Sequence, residues 1–279
     1  MLFYFLELRT TKIHKLKDVI KFKNQLLIWA QRFDDVVWLD SNPKSNGAEQ
    51  KHTSYDAILA VDAFTSIQTD FEDGFEKLKE YQTNTKDWIF GYLTYDLKND
   101  TEVLKSQNYD GLGFPDLYFF QPKKLFLLKG NEVEIQYLNF VEDERTTDLE
   151  CILDEDCKTE SRSSCDDVKI KLRIHKDEYF SKIDRILEHI HRGDIYEVNF
   201  CQEFYAENTC IHPLETYRNL NTISNPPFAS FVKTYDKYAL CASPERYIKK
   251  NGNTVISQPI KGTAKRSVDP EEDIQLKTT

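Results

Sequence analysis

Glu245 and Lys261 are the two side chains whose types and spacing point most directly to chemistry. They lie near the two ends of the stretch SPERYIKKNGNTVISQPIKGTAK, residues 243–265. Asn251-Gly252 in its middle is a hairpin signal, because glycine supplies the positive φ that a tight turn between strands requires. Such a turn folds residues 243–250 back on residues 254–261, so the carboxyl and the amine can approach at the open end. A lysine between Ile260 and Gly262 is a candidate for desolvation, which favours the neutral, nucleophilic amine. A carboxyl group beside it would serve as general acid or base. The same spacing also fits a cross-strand ion pair on a sheet face, with Arg246 next to Glu245. Spacing alone leaves both readings open.

The elements that must position this pair follow from periodicity. Residues 16–31 place Val19, Ile20, Leu26, Leu27 and Ala30 at mostly helical spacing, and VVWL at 36–39 reads as a buried strand. MLFYFLELRT reads as a strand: its apolar run is short, it lacks a basic leader, and Glu7 and Arg9 follow at once. ILAVDAF, WIFGYLTYDL, LYFFQPKKLFLLKG and EVEIQYLNF form a train of strands broken by Gly-Leu-Gly, Gln-Pro and Gly-Asn, with a helix at 71–81. Residues 141–167 are acidic and hydroxyl-rich with few apolar anchors, the composition of an exposed connector. Beyond it, 176–194 spaces Tyr179, Ile183, Ile186, Leu187 and Ile190 as one helical face that Gly193 ends. Residues 195–207 alternate as a strand, 212–224 read as a short helix stopped by Asn225-Pro226-Pro227, and FASFVKTY, YALCASPERYIKK and TVISQPI read as strands. The fold class expected is therefore α+β, layered antiparallel β-sheets with flanking helices. The expected division is a strand-rich N-terminal region at 1–150, an acidic connector at 151–168 and a second domain at 169–279.

Composition narrows the function. The chain has 279 residues, 40% hydrophobic and 13% aromatic, enough for a substantial core. Its net charge of −10 argues against a nucleic-acid partner, which would need clustered Lys and Arg. No run approaches the roughly 20 apolar residues of a membrane span, so a soluble cytoplasmic protein is expected. The six cysteines include no CxxC pair, which favours reduced thiols over a disulfide framework or zinc. The six histidines form no ligand set, since His189 and His191 stand two apart on a helix and cannot share a face. No GxGxxG, Walker loop, GxSxG or HExxH motif occurs.

SPERYIKKNGNTVISQPIKGTAKR resembles the SPERF and RPIKGT segment of the chorismate-utilising enzymes, in particular the component I branch of aminodeoxychorismate synthases. RGDIYEVNFCQEF at 192–204 is similar to the family's GDxYQVNLxQRF, NPPFASF at 225–231 to NPxPFxxF, and FGYLTYDL at 90–97 to GYLxYDL; FPDLYFF at 114–120 is also similar. The resemblance implies that chorismate is the substrate, with magnesium as cofactor. It also implies that ammonia, delivered by a partner glutamine amidotransferase (component II), replaces the 4-hydroxyl to give 4-amino-4-deoxychorismate for para-aminobenzoate and folate synthesis. It makes Lys261 the nucleophile at ring carbon C2 and Glu245 the general acid for the departing hydroxyl, with Gly262, Thr263 and Glu197 against the substrate. Glu197 departs from the family's glutamine. Anthranilate synthase component I, similar throughout, usually has alanine at the position of Lys261, and a non-catalytic chorismate-fold remnant is the other alternative. The resemblance further implies that the magnesium glutamates lie beyond residue 279, so that the chain is C-terminally incomplete and inactive by itself. A tryptophan pocket would be lined by Ser41, Asn225, Pro226 and Phe228.

Overall fold

A computed structural model describes residues 8–42, 53–154, 168–259, 269 and 271. In the first half, strand β1 (Arg9–Lys15) leads to helix α1 (Val19–Ala30), β2 (Asp35–Asp40), β3 (Ala57–Thr69) and α2 (Gly74–Thr85). β4 (Phe90–Leu93), β5 (Leu117–Lys129), β6 (Glu132–Leu138) and α3 (Glu144–Leu153) follow. After it come β7 (Lys171–Leu172), α4 (Lys176–Arg192), β8 (Phe204–Tyr205) and α5 (Pro213–Ser224). The last strands are β9 (Phe228–Thr234), β10 (Lys237–Ser243), β11 (Arg246–Asn251) and β12 (Thr254–Gln258). The described residues group into two compact units, 8–154 with 213–259, and 168–212. No helix among the described residues is long and apolar enough to cross a membrane.

The first unit is built on one eight-stranded antiparallel sheet in the order β1-β6-β5-β3-β2-β9-β10, with β4 added alongside β5. The expected α+β layering is thus observed. The strands β9 and β10, which lie beyond the acidic stretch in sequence, join the same sheet as the N-terminal half through β2. Helices α1, α3 and α5 cover one face, burying Phe22, Leu26, Trp29, Ile152 and Tyr217 against Trp38, Phe126 and Phe231. Asp18 starts α1 by accepting the Lys21 backbone N–H at 2.9 Å. Trp29 meets the Phe126 ring edge-on at 5.5 Å, a geometry worth about 0.5–1.5 kcal/mol beyond the area it buries. The opposite face carries a smaller apolar cluster of Val37, Tyr118, Phe120, Leu125 and Val232.

Three elements before residue 154 differ from expectation. Gln121-Pro122 does not break β5, because the missing proline N–H falls where no partner needs it: β4 pairs with β5 only as far as Phe120, and β6 begins pairing at Lys124. On the other side β3 bulges between Ala63 and Thr65, opposite Pro122. Residues 144–153 form α3 instead of loop, since Ile152 is fully buried and Leu149 and Cys151 pack beside it. WIFGYLTYDL gives only the four-residue β4 before the chain turns into a 3₁₀ helix at Tyr95–Asp100.

Gly91, in the middle of that motif, has a steric reason. A Cβ there would lie 1.9 Å from the Tyr118 carbonyl oxygen and 2.7 Å from Phe119 Cα. Both are backbone atoms of the paired strand, so β4 would have to move as a whole. Gly91→Ala is expected to cost about 1–3 kcal/mol of stability, measured as a lower urea midpoint with an unchanged slope.

Candidate functional site

The corner between β10 and β11 places Glu245. β10 closes the edge of the large sheet at Ser243, Pro244 brings no N–H to continue the ladder, and β11 begins at Arg246. Ser243 pins the turn twice: its Oγ donates to the Glu245 carbonyl at 3.0 Å and accepts the Glu245 N–H at 3.2 Å. Glu245 is half-buried there. Its neighbour Arg246 lays its guanidinium 4.9 Å from the centre of the Phe228 ring, at the start of β9 directly opposite Ser243.

β11 and β12 form the hairpin expected from Asn251-Gly252. Asn251 pairs with Thr254, Gly252 takes φ 57°, and the ladder runs back to Arg246 opposite Gln258. Pro259, which follows Gln258, and Glu245, which precedes Arg246, therefore leave the hairpin at the same end. Lys261, Gly262 and Thr263 lie outside the described residues.

Glu197 is exposed and belongs to the second unit. The strand expected over 195–207 is reduced to the two residues of β8, paired with β7. Tyr196 and Val198, which would share one face of that strand, stay exposed, at 92% and 49%, and find no apolar cover among the described residues. An alternating segment without a covered face and a full-length neighbour gains too little to persist as a strand.

The segments containing Ser41 and Asn225–Phe228 come together in the first unit because Asp40 pairs with Ala229. Ser41 Oγ donates to the Asp56 carbonyl at 2.8 Å. The connection across the gap is made by Asn42, in the left-handed conformation at φ 45°, whose Nδ2 donates to the Pro226 carbonyl at 2.8 Å and to Asn221 Oδ1 at 2.7 Å. Asn221 Nδ2 returns a bond to Asn42 Oδ1 at 3.1 Å. Asn221 escaped the sequence reading, because nothing in NLNTIS marks one asparagine of a helix as the partner of a residue 179 positions away. Asn42→Ala removes these bonds and puts a Cβ-bearing residue without a compensating amide in the left-handed region. A loss of about 1–3 kcal/mol is expected in urea unfolding.

A separate cavity of about 390 Å³ opens among Arg32, Asp35, Asp62, Phe64 and Tyr235. It lies at the other end of the β2–β9 pair, where Asp35 faces Thr234, and touches none of the residues singled out above. Among the described residues no group of three or more His, Cys, Asp or Glu side chains is set to hold a metal ion. The residues described do not by themselves fit a magnesium site.

A model of the chorismate binding enzyme family matches residues 34–279. The chain belongs to this family. Among its members, aminodeoxychorismate synthase component 1 of Bacillus subtilis is 26% identical over 201 residues, covering 67% of this chain and 42% of the relative. Anthranilate synthase component 1 of Thermus thermophilus is 27% identical over 201 residues, with the same coverage of 67% and 42%. The crystal structure of anthranilate synthase component I from Streptococcus pneumoniae shares the fold, with a TM-score of 0.60 and 18% identity over 74% of this chain and 54% of that one. The chain thus spans about two fifths of the length of these curated relatives. Two differently named members match at nearly equal identity, so similarity assigns the chorismate-binding family without choosing the reaction.

Proposed function

We propose that this chain is part of an aminodeoxychorismate synthase component I, which converts chorismate and ammonia to 4-amino-4-deoxychorismate. In this reading the amine of Lys261 attacks C2 of the ring, the double bonds shift, and the C4–O bond breaks. Glu245 gives its proton to the departing hydroxyl, which leaves as water. Ammonia then adds at C4, the double bonds shift back, and the C2–N bond breaks to return Lys261. Gly262, Thr263 and Glu197 line the substrate site. A separate glutamine amidotransferase subunit supplies the ammonia, and Mg²⁺ accompanies chorismate in a site whose carboxylates are not among the described residues. Ser41, Asn225, Pro226 and Phe228 face a tryptophan pocket, and residues 169–279 are the first part of the chorismate-binding catalytic domain.

The observation that carries this reading is the hairpin register, Arg246 opposite Gln258. It supports an acid and an amine working at one end of β11–β12, because Glu245 directly precedes β11 and Gln258, the last residue of β12, is three residues before Lys261 in sequence. The rival is an anthranilate synthase component I, supported by the equal match to the Thermus protein. Lys261, at a position where that branch usually has alanine, favours amination at C4. Given chorismate and ammonia, the full-length protein is expected to release 4-amino-4-deoxychorismate, identified by chromatography and mass. Direct release of anthranilate with no aminodeoxychorismate would overturn the assignment.

A further inference from the structure

The β2–β3 ladder ends at Val36 opposite Val61, which leaves Asp35 and Asp62 at the next pair of positions along the two strands. Like charges opposed across a sheet destabilise it. Asp62 is answered by Lys123, whose Nζ lies 2.9 Å away. Asp35 is not: it is 6% exposed, and among the described residues its side chain accepts one bond only, from the neutral Tyr118 hydroxyl to Oδ1. The cations around it bond elsewhere, Lys233 to the Gln31 carbonyl at 2.8 Å and Arg32 to the Trp29 carbonyl at 3.1 Å. Burial pushes the Asp35 carboxyl above its ordinary value, and Asp34 and Asp62 add to that push. Thr234 stands directly across from Asp35 on β9, on the same face of the sheet. It is 5% exposed, and its Oγ1 has no hydrogen-bond partner. An unpaired carboxyl oxygen and an unpaired buried hydroxyl thus stand on neighbouring strands, a cost that a donor from outside the chain would remove.

Asp35 also forms part of the wall of the cavity of about 390 Å³, a volume within the range of about 300–1,000 Å³ for small-ligand sites. Phe33, Phe64 and Tyr235 line the same cavity, and Asp34 adds an exposed carboxylate. Tyr235 is fixed there by its backbone N–H, which donates to the Asp34 carbonyl at 2.9 Å. Ring faces and carboxylates both attract a positive charge, and the rings also accept an apolar arm. We propose that this cavity binds a small organic ammonium ion, whose N–H groups donate to Asp35 and Thr234 while its apolar arm lies among Phe33, Phe64 and Tyr235. Such a ligand supplies at once the counter-charge that Asp35 lacks and the donor that Thr234 lacks. Arg32, the one cation among the lining residues, holds its guanidinium 5.5 Å from the centre of the Trp29 ring. A metal ion is the poorer occupant, since no three His, Cys, Asp or Glu among the described residues are set to hold one. The site lies at the end of β2 away from Ser41 and stands whichever reaction the protein performs.

The probe is 2-phenylethylamine, titrated by calorimetry into the full-length protein at neutral pH, with 2-phenylethanol as its uncharged counterpart. The amine is expected to bind with a Kd of about 1 mM or tighter, and the alcohol at least about 10-fold more weakly. Asp35→Asn keeps the shape and an acceptor for Tyr118. It is expected to weaken amine binding by at least about 10-fold while the urea midpoint stays the same or rises, because a buried unpaired carboxyl is removed. Phe64→Ala, at a ring that is 49% exposed, is expected to weaken the amine by about 3-fold or more without touching the fold. No heat of binding, equal affinity for amine and alcohol, or full amine affinity in either variant would each overturn the proposal. A lowered urea midpoint in Asp35→Asn would mark the carboxyl as structural and would overturn it as well.

Discussion

Lys261→Ala in the full-length protein is expected to bring formation of 4-amino-4-deoxychorismate down to background, and Glu245→Gln to lower kcat by about 10²–10⁴-fold with KM little changed. The two variants test one account from both sides. Alanine at 261 removes the atom that bonds to the ring, so no partial rate through that route survives. Glutamine at 245 keeps the size of the half-buried side chain and leaves the Ser243 bonds to the Glu245 backbone in place, while removing the transferable proton. Loss of rate therefore reads chemistry and not a collapsed corner. If the pair were only a cross-strand ion pair, both variants would shift stability by about 1 kcal/mol or less and leave turnover intact.

Arg9→Met is expected to destabilise the first unit by about 3–5 kcal/mol at neutral pH. Arg9 and Asp87 are both buried, with side chains 7% and 6% exposed. The guanidinium donates to Asp87 through Nε at 2.8 Å and Nη2 at 2.6 Å, and to the Pro122 carbonyl at 2.5 Å. Gln121 adds a bond to Asp87 at 2.8 Å. Burial by itself pushes the Asp87 carboxyl up, but the bonds from Arg9 and Gln121 outweigh it and hold the group below its ordinary value. A carboxyl whose folded pKa is depressed contributes stability that is present above its unfolded pKa and is lost as pH falls through the folded one. In the unaltered protein this contribution holds at neutral pH and fades only at acid pH. With Arg9→Met the sign reverses: Asp87 stays buried without its cation, its pKa rises, and protonation relieves the deficit. Urea unfolding at pH 7 and near pH 4 should therefore show the difference from the unaltered protein narrowing at the lower pH. The double variant Arg9→Met with Asp87→Asn should recover part of the loss, since no unpaired charge remains buried.

Local chemistry was legible where it decides structure locally. The α1 and α4 helices, the Gly193 end of α4 and the Asn251-Gly252 hairpin follow from spacing and a single turn residue, although the buried face of α1 is Phe22, Leu26, Leu27, Trp29 and Ala30, and Ile20, read among its apolar positions, is 75% exposed. The misreadings share a cause, which is that a distant partner decides. Pro122 stays in β5 because of where β4 stops and β6 starts, and α3 forms in an acidic stretch because Ile152 finds the core beneath it. Residues 195–203 show the reverse, an alternating pattern that lacks the surface it needs. At the candidate site the Asn251-Gly252 hairpin was readable, but the corner at 243–246 was not, since YALCASPERYIKK reads as one strand and the chain leaves the large sheet at Ser243 to start β11 at Arg246; the Asn42–Asn221 bridge depends on β2 meeting β9 and leaves no local trace.

The central claim is that Lys261 bonds to the substrate ring while the 4-hydroxyl departs. Intact-mass and peptide mass spectrometry of the full-length protein, incubated with chorismate in the absence of ammonia, tests it directly. The account predicts an adduct equal in mass to chorismate less one water, located on the peptide containing Lys261 and released as 4-amino-4-deoxychorismate when ammonia is added. Turnover with no adduct under any quench, or an adduct on another residue that Lys261→Ala leaves untouched, would contradict it.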